Sequence, residues 1–148
     1  MVDGDRYRSF MKAAWDAVNI YESPEIFAST FGAVRREEGL VYAAHFCQSE
    51  VCNGGFDQFF FNITGVLAPE AVEGFTAIGQ VEIADLVQQA MKLLGERYLR
   101  DRFERQSALD LLPDDSLEEL DRKFFTLIGT EAGGFEVAAD RYASTTLE

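Results

Sequence analysis

The residue types that catalysis or metal binding would use lie close together, at His45, Cys47 and Cys52, with Glu50 between the two thiols. Imidazole and thiolate are preferred zinc ligands, and a thiol activated by an imidazole is a nucleophile. Their spacing argues against both roles. On a continuous helix, Cys47 and Cys52 face different sides, while His45 and Cys52 share a meridian two turns apart, roughly 10 Å. The chain has no other histidine or cysteine, so carboxylates would have to complete any metal shell. The expectation is a hydrogen-bonded histidine beside buried, reduced thiols, with no metal, no cofactor and no catalytic residue assigned. Gly54-Gly55 lacks the Lys and Ser/Thr of a phosphate-cradling loop, and no dinucleotide-binding glycine pattern occurs. A small hydrolase using His45 or the carboxylates remains a third reading of function, and it requires a concave pocket holding His45.

Glu50 has a structural reading instead. It precedes the double glycine of Glu50-Val51-Cys52-Asn53-Gly54-Gly55-Phe56-Asp57-Gln58-Phe59-Phe60-Phe61-Asn62 and stands just ahead of a new helix start. Its carboxylate is expected to accept hydrogen bonds from free backbone N–H groups at the start of the Phe56 helix, where the dipole also favours an anion. Asn53 and Asn62 are expected to cap neighbouring backbone in the same way.

The elements that position these residues read as helices throughout. Residues 6–20 form the first, with Phe10, Ala13, Ala14, Ala17 and Val18 on one stripe that Tyr7 and Tyr21 extend, and Trp15 off it. Ser23-Pro24 starts a second, which carries Arg35-Arg36 in its last turn. The third, residues 37–52, is apolar on most sides and is therefore central; Asn53-Gly54-Gly55 stops it. Phe56 to Asn62 is a short fourth. Pro69 opens a fifth that ends at Gly79, and residues 80–94 form a regular amphipathic sixth. Residues 98–112 alternate in charge, as a solvated helix does. Pro113-Asp114-Asp115-Ser116 breaks the chain and caps a helix burying Leu117, Leu120, Phe124, Phe125 and Ile128. A last segment runs from Phe135 to Tyr142. Short β pairs fit only around residues 63–67. The expected fold is all-α, a compact single-domain bundle of about seven to nine helices around a central buried helix.

Composition bounds the function. The 148 residues suit one domain with one sizeable core, and 47% apolar against 26% charged residues is globular. Thirteen of the residues are Phe, so the core is expected to be built from rings. No run is long and apolar enough to span a membrane, and the acidic start Val2-Asp3-Gly4-Asp5 leads into nothing resembling a signal peptide, so the default location is cytoplasmic. The terminal Leu147-Glu148 is compatible with a remnant of an expression tag and carries no weight. A net charge of −13 argues against nucleic acid or an anionic membrane as ligand and suits a basic partner. Between Glu37 and Met91 there are eight carboxylates (Glu37, Glu38, Glu50, Asp57, Glu70, Glu73, Glu82, Asp85) and no Lys or Arg. Between Asp110 and Asp121 there are six more (Asp110, Asp114, Asp115, Glu118, Glu119, Asp121), again without a cation. Carboxylates on one helix face recur at about 5–6 Å, of the order of phosphate spacing along a DNA strand. The bland alternative is a set of solvated faces.

The run Glu50, Asn53, Gly54, Gly55, Phe56, Gln58, Phe59, Phe60, Asn62 resembles the signature of a bacterial family of uncharacterised helical domains that includes a DNA-mimic protein. Ala77-Ile78-Gly79 and residues 117–124 are similar to further pieces of that family, so the likeness spans roughly residues 35–128. The resemblance implies an α-helical domain without enzymatic activity or cofactor. In the characterised member it implies an acidic protein that occupies the DNA-binding surface of a transcriptional regulator. The shared motif is one of packing, so the partner-binding set comes from the charge map alone: Asp110, Asp114, Asp115, Glu118, Glu119, Asp121, Glu70, Glu73, Glu82 and Asp85. The partner expected is a basic DNA-binding protein, with no direct binding of nucleic acid; a homodimer is compatible with the sequence. An immunity-type inhibitor of a basic toxin or nuclease predicts the same charge, with a toxin gene beside this one.

Overall fold

The computed structural model describes residues 2–146, so the terminal Leu147-Glu148 lies outside the described residues. A long helix, α4 (Arg36–Phe61), organises the rest. Ahead of it come α1 (Asp5–Phe10), α2 (Lys12–Ala17) and α3 (Pro24–Gly32). A 3-10 segment (Ile63–Leu67) leads from it into α5 (Ala68–Ala77), α6 (Val81–Leu93), α7 (Arg102–Asp110) and α8 (Glu118–Leu127). A second 3-10 segment (Glu131–Gly133) precedes α9 (Phe135–Thr146). No strand occurs among the described residues, and the domain is all-α.

Helix α4 packs against α2, α3, α5, α7 and α8, and α9 closes the bundle against α1. Its first half is buried on several sides at once, through Leu40, Val41, Tyr42, Ala43, Ala44, Cys47 and Val51. The helix kinks at Gly54 and Gly55, where φ is −150° and +76°. A side chain at Gly55 would be strained by that positive φ, and a Cβ there would stand 2.6 Å from Asp121 Oδ2. After the kink Phe56, Phe59 and Phe60 are fully buried, and Phe61 is exposed. A relay of edge-to-face rings crosses the core: Phe56 on Phe124, Phe124 on Phe75, Phe75 on Phe135 and Phe135 on Tyr7, with centroids 5.4–6.2 Å apart. Such pairs add about 0.5–1.5 kcal/mol each beyond the area they bury.

Several elements differ from the sequence reading. The first helix is two, divided at Met11, whose ψ is 1°; Tyr7, Phe10, Met11 and Ala14 turn into the core, while Ala13, Ala17 and Tyr21 of the expected stripe are exposed. The chain then leaves helical geometry at Val18, whose ψ is 129°, and Val18 and Ile20 are buried as an extended piece. Arg35 and Arg36 do not close α3, which ends at Gly32; Arg35 instead meets Glu37 and Glu38 at the start of α4. Residues 63–67 are 3-10 helix and not β. Ser116 does not cap α8: its hydroxyl donates to the Pro113 carbonyl and closes the turn. Phe125 is half exposed, and α9 continues to Thr146. Ser23, by contrast, caps α3 as expected, accepting from the Ile26 N–H at 3.1 Å.

Candidate partner-binding face

The charge-alternating stretch before residue 112 is solvated on one side only, with Glu104, Ser107 and Asp110 exposed and Arg105 and Leu109 buried. Arg105 on α7 is fully buried. Its guanidinium donates to the carbonyls of Phe60 (2.7 Å), Asn62 (2.8 Å), Arg100 (2.9 Å) and Leu99 (3.2 Å), with no carboxylate among its partners. That of Phe60 is an orphan carbonyl at the C-terminal end of α4, where the helix dipole favours a cation, while that of Asn62 also accepts from the Gly65 N–H at 3.1 Å. Arg102 and Gln106 both donate to Phe61 O, and Tyr98 donates to Gly65 O at 2.6 Å. Burial pulls the Arg105 pKa below its ordinary value. A Cβ at residue 65 would lie 2.5 Å from Arg105 Nε, so only Gly65 leaves the guanidinium room. No linear signal announced this, because Arg105 differs from its neighbours only in where α7 docks. Its consequence reaches the surface: Arg100, Arg102 and Arg105 serve the interior and the end of α4, leaving nearby carboxylates uncompensated.

Those carboxylates ring a hollow of about 630 Å³ between the end of α4, the end of α7 and the turn before α8. Asp57, Asp110, Asp114, Glu118 and Asp121 line it together with Phe61, Leu109, Leu112 and Leu117, and no Lys or Arg does. Asp57, Asp110, Asp114 and Glu118 have no hydrogen-bond or salt-bridge partner for their carboxylates among the described residues, and all four are exposed. Asp121 is the exception. Its Oδ1 accepts from the Phe56 N–H at 2.7 Å, capping the second half of α4. Burial raises its pKa; the Phe56 N–H works against that, and the charges of Asp57 and Glu118 add to it. The cap expected of Glu50 is thus made by Asp121, a residue read from sequence as surface.

The remaining members of the expected acidic set are divided. Asp115 and Glu82 are exposed without a side-chain partner among the described residues, and Asp85 accepts from Gln89. Glu119 lies 3.5 Å from Lys123. Glu73 pairs with Arg36, and Glu70 with Arg100 in a two-pronged pair whose carboxylate is only 13% exposed. Glu70 therefore belongs to the scaffold, since Arg100 also donates to Val66 O and lies over the Phe27 ring. The structure gathers Asp110, Asp114, Glu118 and Asp121 into one hollow, adds Asp57 to it, and leaves Asp115, Glu119, Glu70, Glu73, Glu82 and Asp85 out.

Glu50 does something other than expected. Its Oε2 accepts from Gln58 Nε2 (2.5 Å) and Asn62 Nδ2 (3.3 Å), and its Oε1 from Thr64 Oγ1 (3.1 Å). One carboxylate so ties residues before the kink to three side chains after it. Asn62 is spent on Glu50 and caps no backbone, while Asn53 donates to Gln58 Oε1. The Glu, Asn, Gln and second Asn of the motif form a polar clasp across the kink, and its Gly and Phe residues form the bend and the core behind it.

His45 is hydrogen-bonded, through Nδ1 to the Tyr7 hydroxyl at 2.9 Å, and half-buried. Burial lowers its pKa to about 4, with Arg8 helping. Cys47 is buried and its thiol pKa is pushed well up by burial. Cys52, expected to be buried, is exposed, because the helix turns it away from the face that buries Cys47 and Val51. Among the described residues, no group of three His, Cys, Asp or Glu side chains is placed to hold a metal ion. No helix among them is long and apolar enough to cross a membrane.

Fold and site together define a single all-α domain, clasped across a kinked central helix and carrying a carboxylate-ringed hollow beside the end of that helix. The chain belongs to the DMP19-like protein family, whose model matches residues 32–144. The match begins just ahead of α4 and runs into α9, so it includes the clasp, the buried arginine and the acidic hollow. No curated protein and no solved structure matches the chain.

Proposed function

We propose that the protein acts by binding, without catalysis, as a DNA mimic that occupies the DNA-binding surface of a basic protein such as a transcriptional regulator. The observation that carries this reading is the hollow ringed by Asp57, Asp110, Asp114, Glu118 and Asp121 and lined by no cation. Lys and Arg side chains on a protruding recognition helix would place their charged heads among these carboxylates. Their methylene stems would lie on Phe61, Leu109 and Leu112. Exposed Asp115 and Glu119 on the same turn and helix extend the negative field beyond the rim, which speeds encounter with a cationic surface. Membership of the DMP19-like family supports the same reading.

The test is affinity capture from the native cell extract at low salt, followed by titration with salt. Recovery of a basic DNA-binding protein that is released as salt rises, and is displaced by duplex DNA, is the expected result. The triple variant Asp110→Lys/Asp114→Lys/Glu118→Lys should abolish capture while retaining the helical circular-dichroism spectrum. Capture of no basic DNA-binding protein, or undiminished capture by the triple variant, overturns the proposal. A captured toxin or nuclease encoded beside this gene would replace the regulator by the inhibitor reading.

A further inference from the structure

A second hollow differs in character from the acidic one. It lies between α1, α2 and the middle of α4, has a volume of about 340 Å³, and is lined by Arg8, Met11, Lys12, Trp15 and His45. In a chain of net charge −13, its charged lining residues are both cations and no carboxylate lines it. Its size falls at the lower end of the range for small-molecule sites.

Three features converge there. The walls are apolar and flat: Trp15 is stacked on Phe46 with centroids 5.2 Å apart, which holds the indole in place although half of it is exposed. Tyr7 is fully buried, and its hydroxyl meets only His45 Nδ1 among the described residues. Both groups are neutral at neutral pH, and because Nδ1 is the only partner of the buried hydroxyl, the hydroxyl donates to it; the opposite tautomer would leave the hydroxyl proton without an acceptor. The proton of the neutral ring is then on Nε2. Nε2 has no partner among the described residues and is not among their buried unpartnered atoms, so it remains open as a donor. Finally, the ion pairs of the two cations at the rim are with exposed carboxylates, Arg8 with Glu136 at 3.7 Å and Lys12 with Asp16 at 2.9 Å, while Arg8 also lies over the Tyr7 ring, 5.0 Å from its centroid. Exposed pairs of this kind are weak and exchange readily for another anion.

We propose that this hollow is a binding site for a small carboxylate with a flat apolar body. The ring of the ligand lies against Trp15 and Met11, and the carboxylate accepts from His45 Nε2 while Arg8 and Lys12 neutralise it. The site is separate from the acidic hollow and does not depend on the partner proposed for that face.

Trp15 is the only tryptophan, so its fluorescence reports on this hollow alone. Benzoate is the probe, benzamide its neutral counterpart, and saturation-transfer NMR on the same samples an independent readout. Saturable quenching by benzoate is expected, with a dissociation constant of about 1 mM or below. Benzamide should bind at least about tenfold more weakly, because it lacks the charge that strengthens the hydrogen bonds. Arg8→Gln/Lys12→Gln should weaken benzoate by a similar factor; both side chains are exposed, so the fold is retained. Quenching that does not saturate, equal binding of benzamide, or an unchanged constant in the double variant overturns the proposal. If that variant does not fold, the benzoate–benzamide comparison on the unaltered protein decides alone.

Discussion

Replacing Glu50 by alanine or by glutamine tests whether the motif around the kink is a structural clasp. Glu50 accepts three side-chain hydrogen bonds, from Gln58, Asn62 and Thr64. Alanine removes all three and leaves two half-buried amides and a buried threonine hydroxyl without their acceptor. Hydrogen bonds to a charged group contribute about 1.5–3 kcal/mol each, and such losses overlap within one network, so roughly 3–5 kcal/mol is expected. Glutamine can keep its oxygen towards Gln58 and Asn62 and turn its amide to the Thr64 hydroxyl, which then accepts. What it loses is charge assistance, about 1 kcal/mol per bond, giving roughly 2–3 kcal/mol in all. For a domain of this length each kcal/mol lowers Tm by about 2–4 °C. The Glu50→Ala variant should therefore melt roughly 6–20 °C lower, and Glu50→Gln roughly 4–12 °C lower, by circular dichroism at neutral pH. A double-mutant cycle with Gln58→Ala should give a coupling of about 1–3 kcal/mol. Below the melting transition both variants should still capture the basic partner, since Glu50 lies outside the acidic hollow. A Tm within about 2 °C of the unaltered protein for Glu50→Ala, or loss of capture by a folded Glu50→Gln, would refute the reasoning.

Two further outcomes follow from the buried groups. Removing Arg105 leaves the Phe60 carbonyl without its donor and takes one of two donors from the Asn62 carbonyl, so Arg105→Met should cost about 3–5 kcal/mol in urea denaturation. Arg105→Lys should recover only part of this, because one ammonium cannot reach carbonyls spread from Phe60 to Arg100; full stability in the lysine variant would contradict the assignment. The histidine gives a pH dependence whose sign is fixed by its depressed pKa. Unfolded His45 binds a proton near its ordinary 6.5 and folded His45 only near 4, so the folded state loses stability as pH falls between those values. The difference corresponds to roughly 3 kcal/mol, fully present above pH 6.5 and absent below about 4. Replacing the ring with His45→Phe should flatten the stability curve over that window, and an unchanged slope would show that other groups set it.

Periodicity and punctuation made the helices and the central place of residues 37–52 legible, because an apolar surface on most sides of one helix leaves no face for water. The Gly54-Gly55 stop was legible for a similar reason: a positive φ is cheap only for glycine, and Gly55 uses it. The excess of carboxylates and the cation-free stretches were also properties of the sequence alone. What the sequence did not contain was the fate of each charge. Glu70 and Asp110 are equally acidic in the chain, yet α5 lays Glu70 against Arg100 while α7 leaves Asp110 open on the rim. Asp121 makes the cap expected of Glu50, because which carboxylate meets the Phe56 N–H depends on where α8 docks, 65 residues further along the chain. Arg105 looked like one more charge on a solvated helix until its four carbonyl partners were brought to it from two other segments. Local sequence determines which backbone is helical and how much charge there is. Only tertiary packing decides which charges are consumed in holding the fold and which remain to meet a partner, since that depends on distances between residues far apart in the chain.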